Sequence, residues 1–421
     1  MKVLWITNIV FPEANQLLMG SGALKATGGW LIGAAEALVQ KPDVSLIVAA
    51  VSKKVKKLTR LEGEQISYYL LPYGKGNQRL NYEYEPLWKE IREAVQPDVV
   101  HIHGTEFTHG LAYVDACSAN NVCVSIQGLV SVYARYYCAG LSKKEIRSAV
   151  TPASLIKGGI LSGQKTFVKR GEYERELLRR VHHILGRTSW DKAHAWAINP
   201  NATYHYAGET LRDVFYGDVI WQYESCTPHS IFLSQAYYPI KGLHKVLEAM
   251  PLILKHYPDT TIRIAGGDIS RRKGWKEFLK LSDYGRIIRR LIEKNKLHNH
   301  VTFLGPLDGC GMRNEYLKCN VFVCPSIIEN SPNSIGEAQL LGVPVIASYE
   351  GGVMDMMQGD ENHLYRYEET ESLAYKVVEL FLEMDKVKPE KMRQEALRRH
   401  DRNKNASSLL QIYDEIIKKD K

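Results

Sequence analysis

Short runs of aliphatic residues, most of them ending in glycine or a polar turn, alternate along this chain with longer stretches in which apolar residues recur every three or four positions. The runs VLWITN from Val3, SLIVAAV from Ser45, DVVHIHG from Asp98, VCVSIQG from Val122 and HHILGR from His182 predict buried strands. Helical periodicity between them is clearest over 30–40, 85–95 and 109–119. Strands that are apolar throughout and joined by helices make a mostly parallel sheet covered on both faces. The alternation restarts at SIFLSQ from Ser230 and runs through TIRIAGG from Thr261, VTFLGP from Val301, VFVCPS from Val321 and VPVIAS from Val343. Two Rossmann-like halves are therefore expected, with the boundary over 216–228, where periodicity lapses and Gly217 and Pro228 intervene. Helices over 371–383 and 406–419 close the chain, the last amphipathic through Leu409, Leu410, Ile412, Tyr413, Ile416 and Ile417. Residues 131–180, rich in Tyr, Lys, Arg and Gly, do not fit the alternation. An excursion of that length reads as an acceptor-side or membrane-facing flap, or as an inert surface insertion.

Length and composition agree with two domains. At 421 residues the chain exceeds what one core usually serves, and 45% hydrophobic with 24% charged residues is ordinary for a soluble enzyme. The seven cysteines are scattered, with no C-x-x-C pair, and read as reduced thiols. The opening MKVLWITN is interrupted by Thr7 and Asn8 and reads as a first strand rather than a signal peptide. No apolar stretch approaches the roughly 18 residues of a membrane span. The net charge of +8 gathers at 53–60, 165–180, 271–273 and 286–290. Such clusters are solvated faces or contacts for an anionic membrane surface or a phosphate-rich ligand. No nucleic-acid-binding module accompanies them. The expected location is cytoplasmic, with peripheral contact at the inner face of the cell membrane an option.

Chemistry concentrates in VFVCPSIIENSPNSIGEAQLLGVPVIAS, residues 321–348: a strand, a polar loop carrying Glu329, a short helix carrying Glu337, and a second strand. A strand that feeds a helix N-terminus places backbone N–H groups and the positive end of the helix dipole at the carboxyl edge of a sheet, where anionic ligands collect. Ser334 and Glu337 also read as an S-x-x-E capping box, a structural alternative for Glu337. Glu329 has its own alternative as an exposed loop acid.

These residues resemble the retaining glycosyltransferases of family four, of the bacterial surface-polysaccharide type, over nearly the whole chain. The resemblance lies in two acids separated by seven residues ahead of a helix ending in G-x-P-V-[IV]-A, here Glu329, Glu337 and GVPVIAS from Gly342, together with Lys241-Gly242 after SIFLSQ. It implies the α/β GT-B fold: two facing Rossmann-like domains with parallel sheets and an interdomain cleft. The domains would be 1–222, acceptor-side, and 223–398, nucleotide-sugar-binding. A C-terminal helix, 399–421, could pack back on the first domain.

By resemblance Glu337 grips the ribose of the nucleotide and Glu329 orients the donor sugar. Asn330, Ser331, Asn333 and Ser334 offer backbone N–H groups to sugar and diphosphate. Lys241, otherwise one more surface lysine, can neutralise the departing diphosphate. Gly28 and Gly29 let the backbone approach a phosphate at a helix start, or form a simple helix-entry turn. His103 points to the same strand face as His101 and lies nearer the carboxyl end, in the candidate reaction centre or as a buried structural histidine. Arg187, Gly266, Gly267 and Leu304 follow strands, Leu304 being placed by resemblance against the base. The chain departs from the family at Gln235, where many members carry arginine, and at Gln127, where they often carry histidine.

The expected activity is transfer of a sugar from a nucleoside diphosphate sugar to a hydroxyl of a glycan or lipid-linked acceptor, with retention. The nucleotide sugar is a co-substrate. No cofactor is implied, and no metal, since the metal-binding Asp-x-Asp pair is absent. The alternatives are a sugar-nucleotide 2-epimerase of the same architecture and a non-catalytic sugar-nucleotide-binding partner subunit. Glu329→Gln is expected to reduce turnover sharply while the chain still folds; wild-type turnover in that variant would remove Glu329 from the site.

Overall fold

The computed structural model describes residues 1–20, 29–73, 84–271, 274 and 279–419. They form two compact units: 1–132 with 167–211 and 399–421, and 133–166 with 212–398. In the first unit the strands are β1 (Lys2–Thr7), β2 (Ser45–Ser52), β3 (Thr59–Glu62), β4 (Ile66–Pro72), β5 (Val99–His103), β6 (Val122–Ser125), β7 (His183–Gly186) and β8 (Thr203–Tyr206). Their order across the sheet is β3-β4-β2-β1-β5-β6-β7-β8. Only β3 runs antiparallel, against β4. The second unit has β9 (Ser230–Leu233), β10 (Thr261–Ile264), β11 (Val301–Phe303), β12 (Val321–Cys324), β13 (Val345–Ser348) and β14 (Leu364–Tyr365), in the order β11-β10-β9-β12-β13-β14 and parallel throughout.

The first sheet is closed on one face by helices Gly29–Val39 and Arg402–Lys419, packed on Val3, Trp5, Leu46, Val48 and Val99 through Leu31, Ala35, Ile412, Tyr413 and Ile416. The Tyr413 hydroxyl fastens this layer. Trp5 Nε1 donates to it at 2.9 Å, and it lies 2.6 Å from His101 Nδ1. With the hydroxyl donating to Nδ1, His101 carries its proton on Nε2, which reaches Ser125 Oγ at 2.6 Å. On a nearby part of the same unit the buried Glu174 carboxylate accepts from the amides of Val130 and Ser131, each at 2.9 Å, and from Thr105 Oγ1 at 2.5 Å.

The stretch 131–180 is helical: Val130–Tyr136, Lys143–Ser148, Pro152–Lys157 and Ile160–Arg180. Residues 133–166 pack within the second unit. His244 Nε2 lies 2.9 Å from the Ala139 carbonyl, Thr151 Oγ1 donates to the Leu281 carbonyl at 2.6 Å, and the Ile160 amide donates to Asp283 at 2.6 Å. Polar anchors of this kind have no periodic trace in a sequence, so the alternation of strands and helices did not reveal where these helices dock.

Both units bury neutral histidines. Burial pushes His101 down to about 3, and His109, His244 and His400 each to about 4. The unfolded chain therefore binds protons below pH 6.5 that the native chain refuses, so this stability is complete above that pH and is lost as the pH falls towards 4. The urea midpoint should be flat above pH 7 and decline from pH 6.5 to 4.5. His244→Gln, which keeps a donor for Ala139, should flatten that decline when unfolding is followed by circular dichroism across the same range.

Candidate active site

In the second unit the loops after β9 and β12 are locked together by close backbone contact. After β9 the chain makes a short turn, Pro239–Lys241, and reaches Gly242 at φ 73°. A Cβ on Gly242 would stand 1.8 Å from the Pro325 carbonyl oxygen, so only glycine fits there. The Ile327 amide donates to the Ile240 carbonyl at 2.7 Å. Further along, Gly351 at φ 65° lies so close to the Glu329 carbonyl that a Cβ would sit 1.9 Å from its oxygen, and the Gly352 amide donates to that carbonyl at 2.9 Å.

This frame brings Lys241 and Glu329 together. The Lys241 ammonium donates to the Glu329 carboxylate, and Lys241 is only 8% exposed. Burial works to lower the Lys241 pKa, but the opposing charge of Glu329 outweighs it and holds the ammonium above its ordinary value. The Tyr238 ring lies 5.7 Å from the ammonium and adds a cation–π face. Neither residue is a surface side chain.

Helix Asn333–Leu340 begins directly after this loop, with Pro332 at its N-cap and no side-chain cap. The capping box read at Ser334 and Glu337 is not formed. Ser334 lies inside the helix, its carbonyl accepting from Tyr316 Oη at 3.0 Å. The buried Glu337 carboxylate instead accepts from Arg212 Nε at 3.0 Å and Nη2 at 2.7 Å. Arg212 is the partner that sequence reasoning missed, because it lies in a stretch without periodicity.

The remaining candidates of this unit are less uniform. Asn330 is fully buried, Ser331, Asn333 and Ser334 are half-buried, and Gln235 is exposed. Ser331 Oγ lies 3.7 Å from Met356 Sδ. The loops after β10 and β11 meet through Gly266 and Gly305, whose amides and carbonyls exchange bonds of 2.8 and 3.0 Å. The Gly267 amide donates to Tyr237 Oη at 3.2 Å, and Leu304 is half-buried beside this junction.

In the first unit a pocket is lined by Trp5, Trp30, His103, Arg187, Glu209 and Thr210 among others. The His103 ring centroid lies 3.8 Å from that of His101 and 4.2 Å from that of Trp5, tilted to both, and neither of its nitrogens has a hydrogen-bond partner among the described residues. Burial, with the nearby His101 and Arg187, holds its pKa well below the usual value, so it is neutral at pH 7. Arg187 pairs with Glu209 at 3.0 Å and reaches the Gln127 amide oxygen at 3.5 Å. Glu209 was not foreseen; its only trace is the Gly208-Glu209 step after a short strand that the hydrophobic pattern also missed. Glu106, in the turn after β5, accepts from Asn8 Nδ2 at 2.7 Å, and burial, with the Glu174 charge in support, raises its carboxyl to about 7. Gly29 opens helix Gly29–Val39, whereas Gly28 lies outside the described residues. Among the described residues no cluster of three or more His, Cys, Asp or Glu has a metal-binding arrangement.

The chain has the GT-B fold. Sucrose-phosphate synthase from Thermosynechococcus elongatus superposes with a TM-score of 0.72 at 14% identity, covering 99% of this chain and 98% of that one. HepE of Anabaena, solved in complex with UDP and glucose, superposes with a TM-score of 0.65 at 14% identity over 99% and 100%. Residues 227–383 match the family described as Glycosyl transferases group 1. Among curated proteins the chain is 27% identical over 190 residues to the phosphatidyl-myo-inositol mannosyltransferase of Mycobacterium leprae, and 25% identical over 150 residues to spore coat protein SA of Bacillus subtilis. Those alignments cover 44% and 35% of this chain and span 46% and 38% of the two relatives.

Removing one member of the Lys241–Glu329 pair strands the other charge in a buried place, which typically costs about 3–5 kcal/mol. Glu329→Gln and Lys241→Met should each lower unfolding free energy by an amount of this order, and the double variant by clearly less than the sum. Urea denaturation of the four members of the cycle measures the coupling.

Proposed function

We propose that this chain transfers a glycosyl group from a nucleoside diphosphate sugar to a hydroxyl of a glycan or lipid-linked acceptor, with retention at the anomeric carbon, as a step of surface-polysaccharide assembly at the cytoplasmic side of the membrane. One observation carries the proposal: a buried lysine–glutamate pair at the carboxyl edge of β9 and β12, next to a helix start, inside the region that matches the group 1 glycosyl transferases. Anabaena HepE, which shares the fold, has been solved with UDP-glucose.

In the reaction proposed, the bond between the anomeric carbon and a diphosphate oxygen breaks, and a bond from that carbon to the acceptor oxygen forms. The acceptor proton passes to the leaving diphosphate. Positive charge grows on the sugar ring and negative charge on the leaving group, so the protein contributes positioning and preorganised potential. An ammonium has three donors, so Lys241 can keep Glu329 in place and still donate to a diphosphate oxygen. Glu329, held by that bond, accepts from a hydroxyl of the donor sugar. Glu337, oriented by Arg212, accepts from the ribose hydroxyls. Backbone N–H groups of Asn330, Ser331, Asn333 and Ser334 serve the diphosphate, and Gln235 adds a neutral donor. Gly267 and Leu304 lie against the base. His103, Gln127, Arg187 and Gly29 are the candidates that the first unit offers for the acceptor.

A thermal-shift screen against nucleotides and nucleotide sugars tests the binding half of this reading, since a ligand of the native state raises the midpoint by mass action. A nucleoside diphosphate sugar should give the largest shift. Lys241→Met should reduce kcat/KM by about 10²–10³-fold, the scale for losing one preorganised donor to the developing charge. It should also weaken nucleoside diphosphate more than nucleoside. Equal consumption of donor with and without acceptor would replace transfer by epimerisation.

A further inference from the structure

Helix Pro152–Lys157 presents two consecutive aliphatic side chains to solvent: Leu155 is 76% exposed and Ile156 is 84% exposed, with Val150 just before the helix at 39%. Their outward placement is imposed by the other side of the helix. Ala153 and Ser154 are buried, Thr151 caps the first turn through the Ser154 amide at 3.1 Å, and the Thr151 hydroxyl is fixed to the Leu281 carbonyl. A helix pinned this firmly cannot turn to hide Leu155 and Ile156, so the second unit carries a fixed apolar tip.

The segment that carries the tip is rich in positive charge. Lys143, Lys144, Arg147 and Lys157 are exposed on the same segment. Arg286 and Arg290, from helix Asp283–Lys294, bond the Val150 carbonyl at 2.9 Å and the Ser148 hydroxyl and carbonyl, each at 2.9 Å. Those oxygens are neutral, so the two guanidinium charges add to the rim, against the one carboxylate of Asp283, which is held by the Ile160 amide at 2.6 Å. Within 143–157 the single acid is Glu145, tied to the Ser142 amide at 2.8 Å.

We infer that this surface docks on an anionic lipid bilayer, with Leu155 and Ile156 entering the headgroup–acyl boundary and the basic rim meeting the lipid phosphates. An apolar point ringed by lysine and arginine has the composition of an interfacial membrane contact. A protein partner is the poorer fit, because lysine is depleted at protein–protein interfaces. Among the described residues no helix is long and apolar enough to cross a membrane, so contact of this kind would be peripheral. The inference gives membrane contact a location and stands apart from the glycosyl-transfer reading.

Vesicle co-sedimentation of the full chain tests it. Wild-type protein should pellet with vesicles of phosphatidylglycerol and phosphatidylcholine, and not with phosphatidylcholine alone, and binding should fall as sodium chloride rises. Leu155→Ser with Ile156→Ser should lower the partition coefficient by about tenfold or more, the scale of losing two buried aliphatic side chains. Lys143→Glu with Lys144→Glu should abolish the preference for anionic vesicles. Neither pair touches the Lys241 site, so the thermal shift given by nucleotides should be unchanged and reports that each variant is folded. Wild-type partitioning by the serine variant, equal binding to neutral vesicles, or no vesicle binding at all would overturn the inference, whatever the fate of the transferase reading.

Discussion

Opposite charges buried against each other at the end of a parallel sheet set the constraints on the second unit. Lys241 and Glu329 come from loops far apart in sequence, and an ion pair out of water is tolerated only when geometry is tightly held. The holding is done by backbone. Gly242 lets one loop touch the Pro325 carbonyl, and Gly351 lets another touch the Glu329 carbonyl. Each glycine removes a side chain where any other residue would push the loops apart. The pair is thus the product of two steric permissions, and its charges are held in place by backbone rather than by a ligand.

Much of the architecture could be read from hydrophobic pattern alone. Every apolar run singled out in the sequence is a strand, and the helix read over 85–95 is Glu85–Val95. Four strands escaped: Thr59–Glu62 is charged and at an edge, Thr203–Tyr206 mixes aromatic with polar residues, Leu364–Tyr365 is too short to show a period, and Ile66–Pro72, although largely apolar, was not singled out. At the site, residue types were legible and partnerships were not. Glu337 could be located and its binding role suspected, but the competing cap could be dismissed only once Arg212 was seen against its carboxylate. Arg212 and Glu209 sit in stretches with no periodicity, where spacing carries no information about contact. The same limit explains the helices over 131–180. Their amphipathic signal is weak, and their anchorage depends on single polar contacts to Leu281 and Asp283.

Both units bury polar groups in hydrogen-bond networks and in ion pairs. In the first, Trp5, Tyr413, His101 and Ser125 form a chain in which each donor has one acceptor, so the network fixes a tautomer as well as a packing arrangement. His103 sits beside that chain, buried, and its ring nitrogens have no hydrogen-bond partner among the described residues. An unsatisfied neutral imidazole facing a pocket is costly unless a ligand supplies the missing bonds. Ion pairs are buried in both units: Lys241 with Glu329 and Arg212 with Glu337 in the second, Arg187 with Glu209 in the first.

Neither unit is a continuous length of polypeptide. The chain passes from one to the other after residues 132, 166, 211 and 398. An expression fragment ended at Leu211 would lack Tyr413, leaving the Trp5 indole and the His101 ring without the hydroxyl they share. A fragment begun at Arg212 would lack Ala139 and the amide of Ile160, leaving His244 and Asp283 with stranded polar atoms. Interleaving of this sort makes folding of the two units interdependent, because the first sheet keeps one face uncovered until helix Arg402–Lys419 packs on it.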